Sequence, residues 1–277
     1  MNTYQVGLLG RIMYPGLNPQ EQAALVKLTS AEDTTHNPVS GGPHHQYRPG
    51  GLYHNMVTKI APYSVRGVIW YQEESDSPHA DVYGTVFSQL IQCWRELWQE
   101  TLPFLFVQLA PFDKWLAIDG NAFPEIRRQQ QRIEDTVEQA WMVSSADAGM
   151  ENDIHPKIKQ PIGERLALQA LKHIYGKTVL SDAPRYSAIN KTDHRIEIAF
   201  TNADGLHIKG NKINALMVED DTGASVEYSK SYIEAYKLVL EGEFTSPLII
   251  KFASTPYYKV NLYNKSNIPA RPFEATI

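Results

Sequence analysis

The 277-residue sequence has a single cysteine, Cys93, so no disulfide forms within the chain and cysteine usage does not report the redox compartment. It also lacks any run of about 18 consecutive apolar residues, so no membrane span is expected. The start, MNTYQVGLLGRIMYPG, lacks the basic segment, apolar core and small-residue cleavage site of a secretory signal. Basic residues are too few and too scattered to follow a phosphate backbone: 26 Lys and Arg stand against 31 Asp and Glu, for a net charge of -5. Nucleic acid is therefore not an expected partner. Internal repeats and low-complexity tracts are absent as well. What is present is 43% apolar residues, ample for the packed core of one large domain or two ordinary ones. Cys93, in QLIQCWRELW, falls at helical spacing and reads as a small core residue.

From about Arg66, short apolar runs alternate with longer amphipathic stretches, the pattern of βαβ units around a parallel sheet. VRGVIWYQ, residues 65–72, reads as a buried strand. Residues 80–99 read as a helix with an apolar stripe of Val82, Val86, Leu90, Trp94 and Leu97, and Pro103 precedes a second strand, LFVQLAPF. Pro124 opens a polar helix, EIRRQQQRIEDTVEQAW, which leads into MVSSAD and a loop carrying NDIHP. A further helix, QPIGERLALQALKHIYG, is closed by Gly176. Around Ser181 the character changes to short alternating runs, RIEIAF, INALMVE, KLVLEG, PLIIKF and YYKVNLY, which predict an antiparallel sheet or sandwich. The expected division is an α/β domain over residues 1–181 and a β-rich domain over 182–277. Near the start, YQVGLLG reads as a strand, EQAALVKL as a short helix, and the turn-rich stretch up to Gly51 as irregular.

Three stretches, taken in order, resemble the sialate O-acetylesterase family. GGLYHNMVTKIAPYSVRGVIWYQEESD, residues 50–76, is similar to the family's LYNGMI segment and its strand ending in WYQGES. NDIHPKIKQPIGERLALQAL, residues 152–171, is similar to the DIHP motif and the helix that follows it. NLYNKSNIPARPF, residues 261–273, resembles the closing segment. The resemblance implies an α/β fold: a flavodoxin-like, three-layer SGNH hydrolase domain, incomplete at its N-terminus, followed by a β-sandwich-like region. It implies removal of acetyl groups from sugar hydroxyls, sialic acids among them, by a serine nucleophile, a histidine base and an aspartate. No metal or organic cofactor is implied, the partner is an acetylated carbohydrate substrate, and family members are often secreted or periplasmic.

By that resemblance His155 is the base, a role a near-neutral imidazole suits because it takes the serine proton and returns it to the leaving alcohol. Asp153 is its carboxylate partner, with Asp147 in reserve, since the common SGNH spacing places the aspartate where this chain has Asn152. Gln72, at the carboxyl end of the VIWYQ strand, matches the glutamine whose amide helps hold the oxyanion, and Glu74 the supporting glutamate. Without the family pattern, Asp153 reads as a turn cap, His155 as an ordinary loop histidine and Gln72 as a polar strand end. Trp70 and Tyr71 could stack on a sugar, but aromatics on a buried strand are more often core, the reading adopted for Trp70. His44 and His45 lack a carboxylate or cysteine at ligand spacing and predict no metal site.

Two departures bear on activity. Glu73 stands where the family has glycine, adding a charge beside the expected oxyanion. No GQSN-like turn occurs, neither Ser30 nor Ser40 has the strand and elbow of a nucleophile, and by the resemblance Ser75 corresponds to a non-nucleophilic family serine. The chain is therefore expected to begin after the nucleophile-bearing unit, which would leave a sheet edge open. Two classes of function follow: an O-acetylesterase, or a catalytically inactive carbohydrate-binding protein. A homo-oligomer whose partner subunit supplies the serine is a third arrangement.

Overall fold

The computed structural model describes residues 52–61, 63–72, 74–115, 118–244 and 247–277. The expectations for YQVGLLG, EQAALVKL, Ser30, Ser40, His44, His45 and Glu73 lie outside the described residues. The chain forms two compact units, one containing residues 73–102 with the segment up to Arg66, the other Gly67–Gln72 with Pro103–Ile277.

In the first unit a helical turn, Tyr53–Ile60, and a 3-10 segment, Glu74–His79, accompany helix α1, Ala80–Trp98. The buried face of α1 is Ala80, Tyr83, Gly84, Phe87 and Ile91, one stripe at helical spacing. The sequence had pointed to a different stripe: Val82 and Val86 are exposed. Both readings are amphipathic at the same period, and the larger aromatics Tyr83 and Phe87 take the buried side. Cys93 is half-buried beside the Tyr53 hydroxyl rather than in a core. Gln99 ends α1 in the left-handed conformation, Arg95 Nε reaches the Leu102 carbonyl at 3.1 Å, and Trp98 Nε1 donates to the Tyr63 carbonyl at 3.0 Å.

The second unit is mixed α/β. Its parallel sheet has the order β1 (Val68–Trp70), β2 (Phe104–Val107), β5 (Ala140–Val143), with β2 fully buried. β1 is an edge among the described residues and not the buried strand its apolar run implies: Ile69 is 65% exposed and Trp70 half-buried. Between β2 and β5 come a short hairpin, β3 (Lys114–Trp115) and β4 (Ile118–Asp119), and helix α2 (Phe123–Thr136) with Pro124 in its first turn. Helix α3 (Gln160–His173) packs on β2 and β5.

The expected polar helix α2 buries polar groups as well as apolar ones. Phe123, Ile126, Arg127, Gln130 and Ile133 share its inner face. Gln130 Oε1 accepts the Leu109 amide at 2.8 Å, so the side chain replaces a backbone partner where β2 ends.

From residue 185 every regular element among the described residues is a strand. A four-stranded antiparallel sheet has the order β10-β11-β7-β6 and a three-stranded one the order β14-β12-β9. The strands are β6 (Arg185–Lys191), β7 (Arg195–Thr201), β8 (His207–Ile208), β9 (Leu216–Asp220), β10 (Tyr228–Glu234), β11 (Lys237–Gly242), β12 (Leu248–Phe252), β13 (Leu262–Tyr263) and β14 (Phe273–Thr276). β7 and β12 alternate buried and half-buried residues, and their inward side chains, with Leu238, Leu240 and Val218, form one core.

Three arginines tie the α2 and α3 layer to this β-rich region. Arg127 donates to the Thr255 and Pro256 carbonyls at 2.6 and 3.3 Å and stacks on Tyr258. Arg165 reaches the Asn267 carbonyl at 3.2 Å, and Arg271 pairs with Glu134. The NLYNKSNIPARPF segment is thus structural in large part: Asn264, fully buried, donates to the Asp182 and Asn202 carbonyls and accepts the Ser266 and Ile268 amides.

Candidate active site

The loops that follow β1, β2 and β5 leave the carboxyl end of the parallel sheet, where α/β folds gather their ligand groups. Gly149 brings two of these loops together. A Cβ there would lie 2.0 Å from the Pro111 carbonyl oxygen, so only glycine lets the chain after β5 pass the chain after β2 this closely. The amides of Asp113 and Lys114 then both bond the Glu151 carbonyl at 3.1 Å. These contacts set the β3–β4 hairpin beside the NDIHP loop.

Asp153 and His155 are brought together by a local turn. The His155 amide donates to Asp153 Oδ1 at 2.9 Å, as a side-chain-capped turn does. The same oxygen lies 3.5 Å from His155 Nδ1, and Lys157 Nζ is 3.3 Å from the other carboxylate oxygen, Oδ2. The His155 amide bond, offset in part by burial and helped by Lys157, holds the Asp153 carboxyl below its ordinary range. The hydrogen bond is that of the turn cap, and the imidazole nitrogen stands near the same oxygen without a hydrogen bond to it. The imidazole is 74% exposed on its side chain, and its one ring neighbour among the described residues is Trp115, edge-on at 5.4 Å and 84°.

Gln72 is half-buried two residues past the end of β1. Tyr71 before it packs over Val107, Val143, Ala148 and Ile162, so the strand end is fixed by the core between β2, β5 and α3. Lys159 Nζ stands 4.4 Å above the Tyr71 ring and 3.4 Å from its hydroxyl, which joins the Gln72 loop to the NDIHP loop. Glu74 is half-buried at the start of the 3-10 segment in the other unit.

Asp147, the reserve carboxylate, is engaged elsewhere. Arg165 binds both its oxygens at 2.7 Å, and the Tyr263 hydroxyl lies 3.3 Å from Oδ2. Trp115 and Lys159 were not singled out from the sequence. No motif marks them; only the packing of one hairpin and one strand end on the NDIHP loop does. Among the described residues no group of three or more His, Cys, Asp or Glu is arranged to hold a metal, and no helix is long and apolar enough to cross a membrane.

A profile of the sialic acid-specific acetylesterases, a carbohydrate esterase family, matches residues 33–172. The sialate O-acetylesterase of Pongo abelii is 28% identical over 256 residues, covering 82% of this chain and 49% of that protein. That of Homo sapiens is 27% identical over the same length and the same shares. The crystal structure of a carbohydrate acetylesterase from Xanthomonas citri is similar with a TM-score of 0.69 and 26% identity, over 81% of this chain and 53% of that one. The chain thus spans about half the length of the relatives it matches.

Proposed function

Because the chain belongs to the sialic acid-specific acetylesterase family of carbohydrate esterases, we propose that it serves the hydrolysis of acetyl esters on sugar hydroxyls. His155 is the general base and acid, Asp153 its carboxylate partner and Gln72 a donor to the oxyanion. Glu74 supports the Gln72 loop, and the β-rich domain, residues 182–277, braces the esterase layer.

The observation that carries this reading is the Asp153–His155 pair on an open loop at the carboxyl end of the sheet. In the family reaction the imidazole takes the proton of a serine hydroxyl, a nucleophile for which this sequence has no GQSN-like turn, as the serine oxygen attacks the acetyl carbon. The carbonyl oxygen becomes an anion, and the Gln72 amide stabilises it by hydrogen bonding. Collapse expels the sugar oxygen, which takes the proton from the imidazolium; water then repeats the sequence on the acetyl-serine. A carboxylate 3.5 Å from Nδ1 stabilises the imidazolium by charge.

The test is acetate release from p-nitrophenyl acetate and an O-acetylated sialic acid, with His155→Ala as control. Turnover lost in the variant supports the esterase. Since the sequence has no GQSN-like turn, turnover no greater than the variant's would replace this reading with that of a catalytically inactive carbohydrate-binding protein.

A further inference from the structure

We infer that Lys159 is a specificity residue of this site, its ammonium receiving the carboxylate of an acidic sugar and so favouring that sugar over a neutral one. The inference rests on the carbohydrate reading above and deepens it.

Lys159 lies four residues beyond His155, directly before α3. Its ammonium is held 4.4 Å over the ring of Tyr71, and that ring is itself fixed on the Val107, Val143, Ala148 and Ile162 cluster. Gln72 follows Tyr71 directly. The charge therefore stands at a defined place on the rim, between the loop of the expected base and the loop of the expected oxyanion donor.

It is also a charge with something to offer. Lys157, two residues away, is engaged by Asp153, whereas among the described residues no carboxylate lies within ion-pair distance of Lys159. The position is electrostatically costly, since the residue caps the positive end of α3, whose first turn has no acidic side chain. A substrate carboxylate between these loops would be drawn to the Lys159 ammonium.

A lysine whose stem merely packs on a tyrosine would make the same contact, so the test compares two ligands that differ in charge and by one methyl group. Binding of N-acetylneuraminic acid and of its methyl ester is measured by calorimetry or NMR titration on the wild-type chain, Lys159→Met and Lys159→Arg. The expected result is a preference for the acid of about fivefold, as befits an ion pair in contact with water, falling with added salt. Lys159→Met abolishes the preference and leaves affinity for the ester unchanged; Lys159→Arg keeps it. A preference that survives in Lys159→Met, or is missing from the wild type, overturns the inference and leaves the carbohydrate reading intact. Binding of neither sugar by the wild type overturns the carbohydrate reading and this inference with it.

Discussion

Arg165 grips Asp147 with both arms of its guanidinium, Nη1 to Oδ1 and Nη2 to Oδ2, each at 2.7 Å. The same side chain, nearly sealed from solvent, donates to the carbonyls of Ser144 at 2.9 Å and Asn267 at 3.2 Å. One residue of α3 thereby fixes the start of the loop that carries His155. Removing it leaves a largely buried carboxylate without its partner, a loss of about 3–5 kcal/mol. Arg165→Ala is expected to lower the urea midpoint and melting temperature accordingly, and Arg165→Lys to restore only part, because an ammonium does not match the two-pronged geometry. A variant as stable as the parent would show the pair to be dispensable.

Catalysis should separate the three site residues by size of effect. On the roles proposed above, His155→Ala removes the proposed base and takes acetate release to background. Asp153→Asn leaves the turn but not the charge, with an expected loss of about 10²–10⁴-fold in kcat. Gln72→Ala removes one oxyanion donor, for about 10²–10³-fold. Steady-state kinetics on an acetylated sugar measures all three; a Gln72→Ala enzyme with unchanged kcat would remove Gln72 from the mechanism.

Trp115 touches His155 edge to face. An aromatic contact of this kind is worth about 0.5–1.5 kcal/mol beyond its area, enough to hold an exposed imidazole in one orientation. Trp115→Ala is expected to lower kcat/KM by up to about tenfold at nearly unchanged stability, and Trp115→Phe to retain most of it. Equal losses in both variants would point to the indole N–H instead.

Acid should act through Asp182. Burial pushes its carboxyl up, but the His173 imidazole 3.5 Å away and hydrogen bonds from Lys172 and Gln169 outweigh that and hold it well below the usual range. A carboxyl depressed by folding stabilises above its unfolded value, near about 3.9, and that stability is lost as pH falls through the folded value. Asp182→Asn should therefore be less stable than the parent at neutral pH, the difference shrinking only below about pH 4. Urea midpoints of both proteins across the acid range test this; a gap independent of pH would mean that the charge of Asp182 is not what stabilises.

Gly149 tests how the two loops meet. Its Cβ-free approach to Pro111 leaves no room for alanine, so Gly149→Ala must push the NDIHP loop from the β3–β4 hairpin. Activity is expected to fall further than global stability, seen by comparing kcat/KM with the melting temperature.

Much of this architecture was legible in the sequence because its signals are periodic or positional. LFVQLAPF and RIEIAF overlap the strands 104–107 and 195–201, and Pro124 and Gly176 mark helix ends, whereas the polar helix read through Trp141 stops at Thr136 and leaves Ala140 and Trp141 to a strand. Where the reading failed, the signal was ambiguous. On α1 two apolar stripes share one period, and only packing selects Tyr83 and Phe87 over Val82 and Val86. On α2 the polar pattern does not reveal that Arg127 and Gln130 face inward, because their partners are carbonyls and amides far along the chain. The strands β6, β10 and β14 were passed over since RYSAINK, YSKSYIE and FEAT carry few strongly apolar residues; long antiparallel pairing supplies what composition does not.

The seam between α2, α3 and the strands is asymmetric in what it asks of each side. Arg127 and Arg165 recognise the main-chain oxygens of Thr255, Pro256 and Asn267, groups that every amino acid carries. These contacts ask nothing of the side chains at those three positions, whereas the arginines have no substitute of equal reach and shape. Relatives of this protein should accordingly look much less alike along the receiving loops than their backbones are, with the memory of the junction written on the helices.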